Sequence, residues 1–265
     1  MSTLAQLPPR PATRWKGYAA ALVVLAITVV TLLPGIGVEV DIGAMVRNWQ
    51  NGADKIVKLL QPDWSFFPRT VAPLLETLQM AVIATAVAGL VSVPLSLWAA
   101  RTTNPHPVTR RIVRAVLNIV RAVPDLLYAA VLVAMVGVGA LPGIIALVLF
   151  DLGIIVKLVS EQLEAMDTGA LEAGRAAGGS QTQVNRAVAV PEMMPGFLNQ
   201  LLYVLELNVR ASSVLGLVGA GGMGLLIDAV RSFYRYDQLS LIILEILAVV
   251  LVIDLISSAV RRRLV

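Results

Sequence analysis

No cysteine occurs in the 265 residues, which excludes disulfides, thiolate catalysis and cysteine-based metal sites. There is one histidine, His106, set among prolines in RTTNPHPVTR. A lone loop histidine supplies neither a metal cluster nor an acid–base centre. Charge is also scarce: Asp, Glu, Lys and Arg make up 14% of the chain, against about 25% in ordinary globular proteins. No G-x-x-x-x-G-K-[ST] is present, nor any Gly-Lys pair. Without a phosphate-binding loop, ATP chemistry has to come from another chain. What is abundant is apolar surface, at 57% of residues, so lipid is the expected main solvent. The formal charge of +4 is explained by membrane topology and carries no nucleic-acid footprint.

A membrane-spanning helix needs about 20 mostly apolar residues. Six segments qualify: about Tyr18–Leu33, Ala72–Ala100 (with Pro94), Ile112–Val138 (interrupted at Pro124), Pro142–Leu163, Pro195–Val218 and Leu239–Val260. Arg10, Arg14 and Lys16 before the first would also suit a signal peptide. Its long apolar run and the lack of a small-x-small site after Leu33 favour a retained helix. With the N-terminus inside, the cytoplasmic segments hold about twice as many of the 21 Lys and Arg as the outer ones, which places both termini in the cytoplasm. The expected fold is therefore all-α and polytopic, with about six transmembrane helices. Residues 1–17 form a cytoplasmic segment and 18–265 one transmembrane domain, with an outer segment at 35–69. Within that segment, Asp41–Leu60 has roughly helical apolar spacing, suited either to the membrane surface or to a packed outer cap.

Residues 167–195, between the fourth and fifth spans, carry few large apolar residues. Leu171–Ala177 suits a short helix, which Gly178-Gly179 breaks. Ser180 and Gln183 make an S-x-x-Q capping box that should start a second helix, with Val184 and Val188 on one face. Pro191 and Pro195 should end it. An exposed helix–turn–helix of this kind caps the bundle or docks a partner.

This loop resembles the coupling motif of ABC importer permeases, EAA-x3-G-x9-I-x-LP. The frame here is Glu172-Ala173-Gly174, Gly178, Val188 and Val190-Pro191, with every spacing met. Gly174 stands where the motif has Ala, and Gly in a helix costs up to about 1 kcal/mol; Val188 and Val190 keep the apolar character of Ile and Leu. RAVPDLLYAA, LNVRASSVLGLVGAGGMG and IDLISSAVRRRL extend the resemblance over nearly the whole chain, towards the phosphonate-importer permeases and their methionine-type neighbours.

The resemblance implies a permease in the bacterial inner membrane, working as one of two copies with two ABC ATPase subunits and an extracytoplasmic binding protein. Its solute would be phosphonate, phosphate or a related phosphorus oxyanion; methionine or another small solute is the alternative. It also implies that Glu172, Ala173, Gly174, Gly178 and Pro191 form the ATPase-coupling surface. ATP and Mg would sit on the partner, and this chain would bind no cofactor itself.

Charges inside apolar spans cost about 2.5–3.5 kcal/mol each at the bilayer centre. Arg121 and Asp125, Lys157 and Glu161, and Glu206 and Arg210 are each spaced i, i+4 and could neutralise one another. Asp151, Glu76, Glu245 and Asp254 lack such a partner and should lie near ends or pair between helices. An anion route needs donors and positive potential without tight trapping. Arg121, Asp125, Asn208, Arg210, Ser212 and Ser213 are the candidate translocation residues; structural ion pairing is the competing role.

Gly219, Gly221 and Gly224 also fit G-x-G-x-x-G, a dinucleotide fingerprint. That fold needs a βαβ unit within about 30 residues, and none is readable here. A membrane enzyme would need clustered acids, bases or metal ligands, which are not present. The glycines Gly219, Gly221, Gly222 and Gly224 are better read as close-packed backbone at the outer end of the fifth span, followed by an outward loop. Similarity to the importer family places them near an outer gate.

Overall fold

The computed structural model describes residues 15–31 and 42–264. The chain divides into two units, Met1–Lys55 and Ile56–Val265. The first holds α1 (Trp15–Thr31), an exposed apolar helix, and the short α2 (Ile42–Arg47). The end of the expected first span and the residues Arg10 and Arg14 lie outside the described residues. Helix α3 (Trp49–Leu59) begins in this unit and buries none of its residues.

The second unit is a helical bundle, with no strand among the described residues. Asp63 accepts from the Ser65 backbone N–H at 3.0 Å and its hydroxyl at 2.6 Å. It thereby caps a 3-10 turn, Trp64–Phe66, that runs into α4 (Phe67–Ala99). The Ser65 hydroxyl bond also helps hold the Asp63 carboxyl below the ordinary carboxylate range. Helices α4, α7 (Ala140–Ala165) and α10 (Val190–Leu215) pack on one another. The seam is made of small residues: Ala81, Ala84, Ala88, Gly89, Ser92 and Ser96 are all buried on α4. Small residues let helix backbones approach in lipid, where the hydrophobic effect cannot drive association. A Cβ added to Gly89 would lie 2.8 Å from Leu201 Cδ2 on α10. Helix α12 (Tyr236–Leu264) closes the bundle through Leu241 and Ile242, which pack with Phe66, Met223 and Val230.

Four helical runs are long and apolar enough to cross a membrane: Trp64–Ala99, Ala140–Ala165, Gln181–Val218 and Tyr236–Arg262. The third expected span differs. It is two helices, α5 (Pro107–Ala122) and α6 (Asp125–Val136), bent by 85°. The residue before a proline is pushed towards extended backbone, and Val123 sits at φ −89°, ψ 127° ahead of Pro124. Helix α6 alone spans only about 18 Å at 1.5 Å per residue. Helix α5 is amphipathic, with Arg110, Arg111, Arg114, Asn118 and Arg121 set into an apolar ladder. The described residues thus give four spans, or five if the bent pair counts as one, with Gly17–Thr31 a shorter apolar helix.

Candidate functional site

The loop of residues 167–195 folds as its local chemistry dictates. Helix α8 covers Gly169–Ala176. Gly178 then takes φ +84°, and the Gly178 and Gly179 N–H groups donate to Arg175 O at 2.9 Å and Gly174 O at 3.1 Å. This left-handed closure satisfies carbonyls that a helix end leaves open. Ser180 and Gln183 form the full capping box that opens α9 (Gln181–Val184). Val184 is buried with Leu171, Ala189, Met193 and Phe197, and Val188 packs against the same cluster. Gly174 has a packing reason: a Cβ there would come within 3.2 Å of Val184 Cγ2. Glu172, Ala173 and Gly178 stay exposed.

The expected stop at Pro191 and Pro195 does not occur. Residues Asn185–Ala189 form a π-helical turn, and α10 continues directly from Val190. A widened turn removes the clash between a proline ring and the carbonyl four residues earlier. The loop is also tied to the α4–α5 connection. Arg175 donates to Thr102 O at 2.8 Å, while Gln181 and Asn185 both donate to Thr103 O, at 3.1 and 2.9 Å.

The intramembrane charges sort differently from their sequence spacing. Lys157 and Glu161 do pair, at 2.5 Å. Glu206 instead pairs with Arg261 on α12, and the exposed Arg210 donates, among the described residues, to the Glu206 carbonyl at 3.4 Å. Arg121 and Asp125 form no pair among the described residues, because the helix between them is broken. Asp125 accepts from the Leu126 N–H at the start of α6. Asn208 is fully buried and donates to Asp151 at 2.6 Å and to Thr85 at 2.9 Å, joining α10, α7 and α4. Ser212 and Ser213 are buried and donate to carbonyls of their own helix. Glu245 accepts from Thr70 at 2.6 Å, an interhelical bond.

The glycine stretch begins as a 3-10 turn, Gly216–Val218; then Gly219, Gly221 and Gly222 take φ of +93°, +84° and +65°. The next element is a helix, α11 (Gly222–Ser232), in place of the expected loop, because the chain restarts on the Met223 N–H, which donates to Thr77 Oγ1 at 2.8 Å. A Cβ on Gly216 would lie 2.5 Å from Gly224 Cα, and one on Gly221 would lie 2.9 Å from Ala140 Cα. Two backbones touch here, and α4 and α7 wall the turn.

A cleft of about 250 Å³ opens between α5 and α7, with Arg101, Arg114, Arg121, Lys157, Glu161 and Glu164 on its walls. Sequence reasoning missed it. Glu164 binds Arg114 and, at 3.4 Å, Arg101. The Arg121 stem crosses Gly153, where a Cβ would run into it. The readable signal is the i, i+4, i+7 stripe of Arg114, Asn118 and Arg121, which a span starting at Ile112 conceals.

Against solved structures, the chain is similar to an inward-facing MetNI methionine ABC transporter. The TM-score is 0.68 with 25% identity, covering 77% of this chain and 99% of that one. The fold is that of the type I ABC permeases. Residues 92–265 match the model of the binding-protein-dependent transport system inner membrane component, and the chain belongs to that family. It is 38% identical over 216 residues to the phosphite transport system permease protein PtxC of Stutzerimonas stutzeri, covering 80% of this chain and 78% of that protein. It is 39% identical over 217 residues to the phosphate-import permease protein PhnE of Mycolicibacterium smegmatis, covering 80% of this chain and 41% of that protein.

Proposed function

We propose that this permease carries phosphonate, phosphate or a related phosphorus oxyanion into the cell. The observation behind it is the 38–39% identity, over four-fifths of the chain, to permeases named for phosphite and phosphate import. Two copies of the chain form the pathway, since a two-fold pair is the default for such subunits. An external binding protein delivers the solute. Two ATPase subunits hold the ATP and Mg and dock on Glu172, Ala173, Gly174, Gly178 and Pro191. Both termini face the cytoplasm. Arg121, Asp125, Asn208, Arg210, Ser212 and Ser213 belong to the pathway region, and Gly219, Gly221, Gly222 and Gly224 to the outer gate.

The second reading, a methionine importer, rests on the likeness to the MetNI fold. The deciding experiment reconstitutes permease, ATPase and binding protein. ATP hydrolysis is measured with the binding protein preloaded with phosphate, methylphosphonate or methionine. Stimulation by the phosphorus oxyanions is expected; stimulation by methionine alone overturns the assignment.

A further inference from the structure

The cleft between α5 and α7 carries an excess of positive charge. Four cations line it, Arg101, Arg114, Arg121 and Lys157, against two carboxylates, Glu161 and Glu164. Glu164 is shared by Arg101 and Arg114, and Glu161 is taken by Lys157. Arg121 has no carboxylate partner among the described residues. Two positive charges are therefore left over in one cleft.

The cations are held in place by more than each other. Arg114 Nε donates to the Ala99 carbonyl at 2.8 Å, which fixes the guanidinium at the end of α4. The absence of a side chain at Gly153 gives the Arg121 stem its path across α7. The volume, about 250 Å³, exceeds the share of a single water, about 30 Å³, severalfold. It accommodates a tetrahedral oxyanion with part of its hydration shell. Guanidinium forks match two oxygens of such an anion at once.

We propose that this cleft is a binding site, within the permease itself, for the dianionic form of a phosphorus oxyanion. The inference rests on the oxyanion-importer reading above and adds where in the chain the anion is held. The two uncompensated cations equal the charge of the dianion. A zwitterionic amino acid fits poorly, because its ammonium would face the same cations. Arg101 is 70% exposed and Lys157 48% exposed at the side chain. The site is thus wet and shallow, suited to brief occupancy in transit.

The test uses the purified full chain in phosphatidylcholine nanodiscs, titrated calorimetrically with methylphosphonate, inorganic phosphate and methionine. Saturable binding of the first two, and none of methionine, is expected. Arg121→Gln and Lys157→Gln should each weaken it at least tenfold, and Arg121→Lys should retain part of it. Glu161→Gln removes a competing carboxylate and should tighten binding, an effect that a purely structural pair would not produce. Thermal unfolding of each variant confirms that it is folded.

A second arm adds phosphatidylglycerol, whose headgroup offers a singly charged phosphodiester to the same cations. Binding of the free anions that persists supports the proposal; full displacement assigns the cleft to lipid and overturns it. Absence of binding, or binding unchanged in both Gln variants, also overturns it. The reconstituted transport assay separates the two levels. Oxyanion-stimulated hydrolysis without cleft binding removes the cleft and leaves the importer reading. Stimulation by methionine alone removes both.

Discussion

Gly178 offers a clean separation of backbone from side-chain effects. Its φ is +84°, and nothing lies within 4 Å of the place a Cβ would occupy. Any cost of Gly178→Ala is therefore conformational. Holding an L-residue in the left-handed region costs about 1–2 kcal/mol. Asn tolerates that region better than Ala, so Gly178→Asn should cost less although its side chain is larger. If the exposed α8–α9 turn of the Ala variant relaxes in the free permease and must regain its shape to dock the ATPase, that cost appears in the docking equilibrium. At 1.4 kcal/mol per tenfold, Ala should weaken ATPase binding by about 5–30-fold. The assay is affinity of purified ATPase for the nanodisc-embedded permease, with ATP-driven uptake as a second readout. Melting temperature should fall little, because the turn is exposed and the core beneath it (Leu171, Val184, Met193) is untouched. Equal affinities for Ala and Asn, or a weaker Asn variant, would refute the reasoning; steric size would then outweigh backbone conformation.

Gly224→Ala places a Cβ 2.5 Å from Gly216 Cα, a backbone atom that cannot step aside. Overpacking should cost about 1–3 kcal/mol, read as a lower melting temperature, whereas Gly52→Ala, in open space on α3, should not destabilise. Asn208→Leu removes the donor to Asp151 and Thr85. It should destabilise by about 1–3 kcal/mol or more, and adding Asp151→Leu should recover part of the loss in a double-mutant cycle. Arg261→Ala strands the nearly buried Glu206. It should cost about 3–5 kcal/mol, and Glu206→Gln in the same chain should relieve most of it in thermal unfolding.

The legible parts of the chain were those decided within a few residues. Ser180 and Gln183 announced a helix start, and Gly178 announced the turn before it. The spacing from Glu172 to Pro191 carried the family resemblance that the comparison with known proteins then showed. Features that depend on distant partners were not legible. Glu206 sits four residues from Arg210 yet binds Arg261, because α12 brings a second cation against that face of α10. Asn208 meets Thr85 across 123 positions, and no local pattern announces such a bond. The third span is hidden for a different reason. A hydropathy window averages the arginine stripe of α5 with the apolar α6, and so hides both the 85° bend and the cleft beside it. Pro191 misleads because its usual effect is to end a helix, while here a single π-helical turn precedes it and the helix runs on.

That turn leaves Gln181–Val218 as one helical run of 38 residues, about 57 Å long at 1.5 Å per residue. One end is the exposed turn just after Gly178; the other is the glycine turn wedged against α4 and α7. A continuous run of this length, with Pro191 and Pro195 both accommodated in it, would work as a lever. A small tilt imposed at the first end would arrive at the second where the Gly216 and Gly224 backbones pack directly on each other.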